Sequence, residues 1–269
     1  MARHLAAAGH DVTVFNRTSA KAEKWTEAYS GGMRSTPAEA AEGTEIIFAC
    51  VGNDQDSLAV GKAAIEAMAS GSIYVDHTTT SSACAEELAA FAETRTIGFI
   101  DAPVSGGEAG AINGALSIMC GADEAILAKA QPVMEAYAKR IVHVGPIGHG
   151  QLCKAVNQIC IAGVLQGLSE AVNFAERAGL DMEKTLEAVS GGAAQSWQME
   201  NRWATMAKGE FEFGFAVDWM RKDLDIAMKD AERIGADLTM TKLVDGYYEE
   251  VQAKGGNRWD TSSLVTRLK

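Results

Sequence analysis

The stretch "VGPIGHG", residues 144–150, separates two kinds of sequence pattern, and the fold follows from that change. Upstream of it, short apolar runs rich in β-branched residues alternate with helical segments. Downstream, strand signals stop and helical periodicity continues to the end. Alternation of strand and helix predicts a doubly wound, mostly parallel α/β sheet with helices on both faces, whereas the helical remainder must build a core of its own. The predicted strands are 11–15, 45–51, 72–76, 97–101, 116–121 and 140–144. "EIIFACV" (45–51) and "SIYVD" (72–76) are continuous apolar runs, as strands covered on both sides require.

Helices are predicted over 1–8, 59–69 and 84–93 in this first part. From 150 to 178 a helical pattern runs without internal proline, about 29 residues and so about 43 Å at 1.5 Å per residue. Further helices follow over 182–189, 195–207, 216–234 and 240–253, set apart by Gly191, Gly192, Gly209 and Gly235. The domains expected are therefore 1–146, with a dinucleotide-type α/β pattern, and 147–269, a long helix leading into an all-helical domain. The stripe Ile161, Val164, Leu165, Leu168 and Val172, with Trp219 and Met220, is too apolar to stand in solvent, which predicts a homodimer or homotetramer.

Composition sets the outer bounds. With 269 residues and 47% hydrophobic content, the chain can bury a sizeable core. A net charge of −12 without a Lys/Arg cluster speaks against nucleic acid as a partner. Cys50, Cys84, Cys120, Cys153 and Cys160 form an odd set without a CxxC pair, each within an apolar pattern. They read as reduced core thiols of a cytoplasmic protein, with no metal site implied. No signal peptide and no membrane span are expected.

Two stretches carry chemistry. "IDAPVSGGEAGAINGAL" (100–116) leaves a buried strand and sets Ser105 beside Gly106 and Gly107. Glycines there let backbone N–H groups converge on an anion such as a small carboxylate, although a Gly-Gly pair also serves plain turn geometry. "GHGQLCKAVNQICIAG" (148–163) places Lys154 and Asn157 three apart on one helix face that continues into apolar Ile161. An amine in such a recess near a helix N-terminus is expected to have a lowered pKa and can exchange a proton with a carbonyl or alcohol oxygen. Asn157 would hold the same oxygen.

Weaker signals surround these. Asn16, Arg17 and Thr18 follow the first strand, where an arginine meets a ribose 2′-phosphate, which points to NADP with NAD as the other possibility. "VGND" (51–54) and "DHTTT" (76–80) can line the nicotinamide half of a cleft or simply cap helices. Lys222 in "MRKDLDIAM" (220–228) reads by itself as a surface residue.

Together "DAPVSGGEAGAINGAL", "GHGQLCKAVN" and "KDL" (222–224) resemble, in order and spacing, the β-hydroxyacid dehydrogenase family. That family includes 3-hydroxyisobutyrate dehydrogenase, tartronate semialdehyde reductase and the succinic and glyoxylic semialdehyde reductases. The resemblance implies a Rossmann domain, a long connecting helix and a helical dimerisation domain. It implies Lys154 as catalytic acid/base with Asn157 beside it, and Ser105, Gly106 and Gly107 on the substrate carboxylate. It further implies Val51, Gly52 and Thr79 at the cofactor, Lys222 closing over it, and NADP preference from Asn16, Arg17 and Thr18. Imine reductases share the architecture but usually have no lysine at the position of Lys154. The 6-phosphogluconate dehydrogenases have a longer helical region.

"MARHLAAAGHDVTVFNRT" (1–18) then reads as the second half of a first βαβ unit. The strand and glycine loop that open this family are expected to be missing, about fourteen residues by the usual length. A misplaced start codon or a trimmed chain is the favoured cause. That expectation supports an alternative reading, a non-catalytic binding module or oligomerisation scaffold, which intact Ser105, Lys154 and Asn157 oppose.

Overall fold

In the computed structural model, which describes residues 1–269, eight strands form, all before residue 146. They are β1 (Thr13–Val14), β2 (Gly32–Met33), β3 (Ile46–Ala49), β4 (Ile73–Asp76), β5 (Gly98–Asp101), β6 (Val104–Ser105), β7 (Leu116–Ala122) and β8 (Ala138–Gly145). β1 and β2 pair in parallel as a separate two-stranded sheet. The main sheet runs β3-β4-β5-β7, parallel from β3 to β5.

The continuous apolar runs are explained by burial on both faces. Ile73, Val75 and Ile100 join one core cluster with Leu127, Ala130 and Met134 of helix Glu124–Met134. Their strand neighbours Tyr74 and Phe99 join another, with Ile65 of helix Asp54–Ala67 and Leu88 of helix Ser82–Glu93. Successive strand residues face opposite ways, so both sets must be apolar.

Beyond β5 the sheet departs from a purely parallel pattern. β5 and β6 both run antiparallel to β7, at Ile100↔Ala122 and Val104↔Ile118, and β8 pairs with β7 in parallel. Since β8 takes one edge of β7, β5 and β6 share the other, divided by Ala102 and Pro103. Pro103 has no N–H to give, and its carbonyl accepts from Met119 N at 3.1 Å. The register Ala49↔Asp76↔Asp101 brings the C-terminal ends of β3, β4 and β5 to one level. The turns that follow them therefore lie along one edge of the sheet.

Contacts divide the chain into Met1–Lys154 and Ala155–Lys269, and the helix His149–Arg177 runs through the division. The second unit holds helices Met182–Ser190, Trp197–Lys208, Val217–Ile234 and Thr239–Ala253. Asp181 and Ser196 cap the first two of these from their side chains, and Gly209 and Gly235 end the second and third in the left-handed region. The apolar stripe of the long helix is largely covered within the chain, a correction to its reading as unpartnered. Leu165 packs with Met220, Leu224, Val244 and Tyr248, while Leu168 and Val172 pack with Met199, Trp203 and Met206. Val164, Phe174 and Trp219 stay exposed.

The cysteines need a second correction. None of the five is in a disulfide, but only Cys84 and Cys120 are core residues, whereas Cys50 and Cys160 are exposed. Cys50 lies just past the end of β3, and Cys160 on an open face of the long helix. No helix is long and apolar enough to cross a membrane.

Candidate active site

Three turns meet at the C-terminal ends of β3, β4 and β5. After β3, Val51 N donates to Thr78 Oγ1 at 3.0 Å, and the next residue is Gly52. A Cβ on Gly52 would stand 2.6 Å from the Asp56 carboxylate, so a larger residue there would make that side chain shift. Asn53 caps helix Asp54–Ala67 by accepting from Asp56 N at 2.9 Å. The "VGND" stretch is thus a helix cap as well as a strand end.

After β4, the backbone is anchored by buried polar groups. Asp76 accepts from Thr78 N at 2.9 Å and from the Ser57 hydroxyl, and burial raises its pKa. His77 Nδ1 lies 2.6 Å from Ala102 O, and Nε2 lies 2.8 Å from Tyr137 Oη. A carbonyl can only accept, so Nδ1 carries the proton and Nε2 accepts from the tyrosine. Burial drives the imidazole pKa down to about 4, consistent with a neutral ring stacked on Phe48. Thr78 and Thr80 are buried, and Thr79 between them is the half-exposed residue of the turn.

After β5, Asp101 is fully buried. It accepts from Gly148 N at 2.8 Å, just before the long helix, and from Gln151 N at 3.0 Å in its first turn. Burial pushes its pKa up to about 7, and these hydrogen bonds hold it from rising further. Ser105 is half-buried, and Gly106 and Gly107 are exposed with φ of +126° and +60°. These are conformations that L side chains rarely adopt, which accounts for the glycine pair.

Lys154 is only 7% exposed, and its Nζ donates to Val104 O at 3.0 Å. The amine is therefore held at the residue that precedes Ser105. Of the other predicted residues, Asn16 Oδ1 accepts from Thr18 N at 2.9 Å, closing the turn after β1. Arg17 pairs with Asp56 at 3.1 Å, which brings it to the carboxylate beside Gly52.

In the second unit, Asn157 Nδ2 donates to Gln158 Oε1 at 2.7 Å, and Gln158 Nε2 donates to Asp223 Oδ2 at 2.7 Å. Lys222 pairs with the other oxygen of Asp223 at 2.9 Å. Two residues singled out in sequence are thus joined through two that were not. Asp101, His77, Tyr137 and Gln151 also escaped the reading of the sequence, although Asp101, His77 and Gln151 lie inside the quoted stretches.

Residues 1–145 match the family described as the NAD binding domain of 6-phosphogluconate dehydrogenase. Residues 148–268 match that described as NAD-binding of NADP-dependent 3-hydroxyisobutyrate dehydrogenase. An oxidoreductase of Shewanella frigidimarina, described as uncharacterized, is 56% identical over 272 residues, covering 100% of this chain and 94% of its own. The probable 3-hydroxyisobutyrate dehydrogenase-like 1, mitochondrial, of Arabidopsis thaliana is 36% identical over 273 residues, covering 100% and 81%. Among solved structures, 3-hydroxyisobutyrate dehydrogenase of Mycobacterium tuberculosis with L-serine has a TM-score of 0.91 at 27% identity, covering 100% and 94%.

Proposed function

Since the chain belongs to the β-hydroxyacid dehydrogenase family of NAD(P)-dependent enzymes, we propose that it interconverts a short 3-hydroxy acid and its semialdehyde with NADP(H), Lys154 carrying the proton. The observation that carries this reading is the nearly buried Lys154 amine, 3.0 Å from the Val104 carbonyl and so next to the Ser105, Gly106, Gly107 bend. L-serine, named with the tuberculosis enzyme, is itself a 3-hydroxy acid, which supports the substrate class.

The strand ends suit a nicotinamide cofactor. Val51 and Gly52 offer a turn with little side-chain bulk, and Thr79 is the open residue of its turn. Arg17 is 85% exposed and held only by a surface ion pair, which costs little to exchange for a phosphate. Asn16 and Thr18 shape the turn that carries it. When bound, the nicotinamide supplies or accepts the hydride at the substrate carbon. In reduction, the Lys154 ammonium gives its proton to the carbonyl oxygen as that oxygen becomes a hydroxyl; in oxidation, the neutral amine takes it back. Ser105 and the amides of Gly106 and Gly107 hold the carboxylate, and Asn157 steadies the reacting oxygen. Lys222 is assigned to the cofactor. The exposed apolar residues of the second unit are assigned to contact between copies of the chain.

Lys154→Ala tests the central claim. Turnover of the semialdehyde of 3-hydroxyisobutyrate, or of tartronate semialdehyde, should fall by about 10²-fold or more. NADPH binding, followed by nicotinamide fluorescence, should be retained. Unchanged turnover would remove the proton-carrying role. Family membership disfavours the non-catalytic alternative, and no residue of the site favours it.

A further inference from the structure

We propose that Gln151 is a positioning residue that sets Lys154 in register with the turn after β4. This rests on the reading of Lys154 as the proton carrier. Gln151 stands one helical turn before Lys154 and is 2% exposed. Its Oε1 accepts from Thr80 N at 3.0 Å, and its Nε2 donates to Thr78 O at 2.8 Å. Both ends of the amide are therefore used, one on each residue flanking Thr79. The backbone N of Gln151 donates to Asp101 Oδ2 at 3.0 Å, which ties the same residue to the end of β5. Thr78 continues the chain of bonds by accepting from Val51 N. Gln151 thus joins all three strand-end turns to the start of the long helix.

This arrangement reaches beyond holding the helix in place. The amide grips backbone atoms on either side of the turn's half-exposed residue, Thr79. Lys154 shares a helix face with Gln151, at i and i+3, so a rotation of this first turn carries the amine with it. A displacement of about 1 Å at a reacting group can cost roughly 10²-fold in rate. Only a primary amide satisfies both neighbours: a carboxylate would set an oxygen against the Thr78 carbonyl, and an apolar side chain would pair with neither.

The test is a double-mutant cycle on kcat with NADPH and the semialdehyde of 3-hydroxyisobutyrate, using wild type, Gln151→Met, Lys154→Ala and the double variant. Gln151→Met should lower kcat by about 10–100-fold with KM little changed, and should raise the solvent deuterium isotope effect on kcat. In the Lys154→Ala background the same change should cost almost nothing more. A kcat within about twofold of wild type, or equal losses in both backgrounds, would overturn the positioning role. If Gln151→Met does not fold, Gln151→Glu takes its place in the cycle with the same expected outcome. A Lys154→Ala variant that turns over like wild type would instead sink the proton-carrier reading, so the two failures are told apart.

Discussion

Arg17 puts the choice of cofactor on one exposed side chain. A charge-assisted hydrogen bond to a phosphate contributes about 1.5–3 kcal/mol, so Arg17→Ala should raise KM for NADPH by about 10–100-fold and leave that for NADH unchanged. Equal changes for both would remove Arg17 from recognition of the phosphate. His77 raises a question of stability. Its folded pKa, lowered by burial to about 4, lies below the ordinary 6.5. Between those values the unfolded chain takes up a proton that the folded one refuses, so this residue's contribution falls as pH falls. Asp101 has the opposite sign. Its carboxyl is protonated near 7 when folded and only near the ordinary 3.8 when unfolded, so acidification through that window adds stability. The two oppose one another in the wild-type profile, and Asp76, whose pKa burial also raises, adds to the Asp101 side. In His77→Gln the contribution of the imidazole is gone and those of the carboxyls remain. The deficit of this variant against wild type should therefore shrink on acidification from about pH 6.5 toward 4, by at most about 1.4 kcal/mol per pH unit. Urea denaturation at several pH values reads this directly, and a deficit that does not change with pH would mean that His77 titrates normally in the folded state.

The long helix and the strand ends beneath it show how elements place these residues. At Gly150 a Cβ would stand 2.5 Å from the backbone oxygens of both Asp101 and Met119, so the helix start rests directly on β5 and β7. Gly150→Ala should cost about 1–3 kcal/mol of stability and depress kcat as the first turn moves off the sheet. Gly167, on the same helix, has nothing within 4 Å of such a Cβ. There the change to alanine should be neutral or stabilise by up to about 1 kcal/mol, so thermal denaturation of the pair separates close approach from helix propensity. Comparable melting temperatures for the two would contradict this account. The helix itself was legible, since residues 150–178 repeat apolar positions at helical spacing and the observed helix is His149–Arg177. β2 and β6 were not. Each has two residues and exists through its partner, Met33 against Val14 and Ser105 against Ser117, so neither has a periodicity to read. The antiparallel course of β7 was also out of reach, because a run such as 116–122, buried mostly on both faces, reads alike in either direction. For the site, Ser105, the glycine pair and Lys154 stood out by local composition. Gln151 did not, because its side-chain partners are backbone atoms 71 and 73 positions away, and any residue type can supply those.

For the molecule as a whole, the remaining question is what covers the apolar surface of the second unit. The helices there hide Leu165, Leu168, Val172 and Met220 from solvent without help from another chain. That leaves a smaller set than the sequence suggested. Leu243 is 54% exposed one helical turn from Met240, and Met240 lies against Gly163 of the long helix beside exposed Val164. On the same helix Phe174 is 71% exposed. Scattered apolar residues need no explanation, but contiguous ones on a soluble monomer rarely exceed a few hundred Å². The proposed assembly of like copies would bury them and would repeat the same patch on both partners, as a two-fold contact requires. A negative charge placed in such a patch gains nothing from the fold and must be desolvated on association. Leu243→Glu should therefore keep the melting behaviour of one chain's core while shifting the native mass, measured by light scattering after gel filtration, from a dimer or tetramer toward the monomer. A wild-type chain that already elutes as a monomer at micromolar concentration would leave this surface without the assigned partner, and the mutation would then have no mass to change.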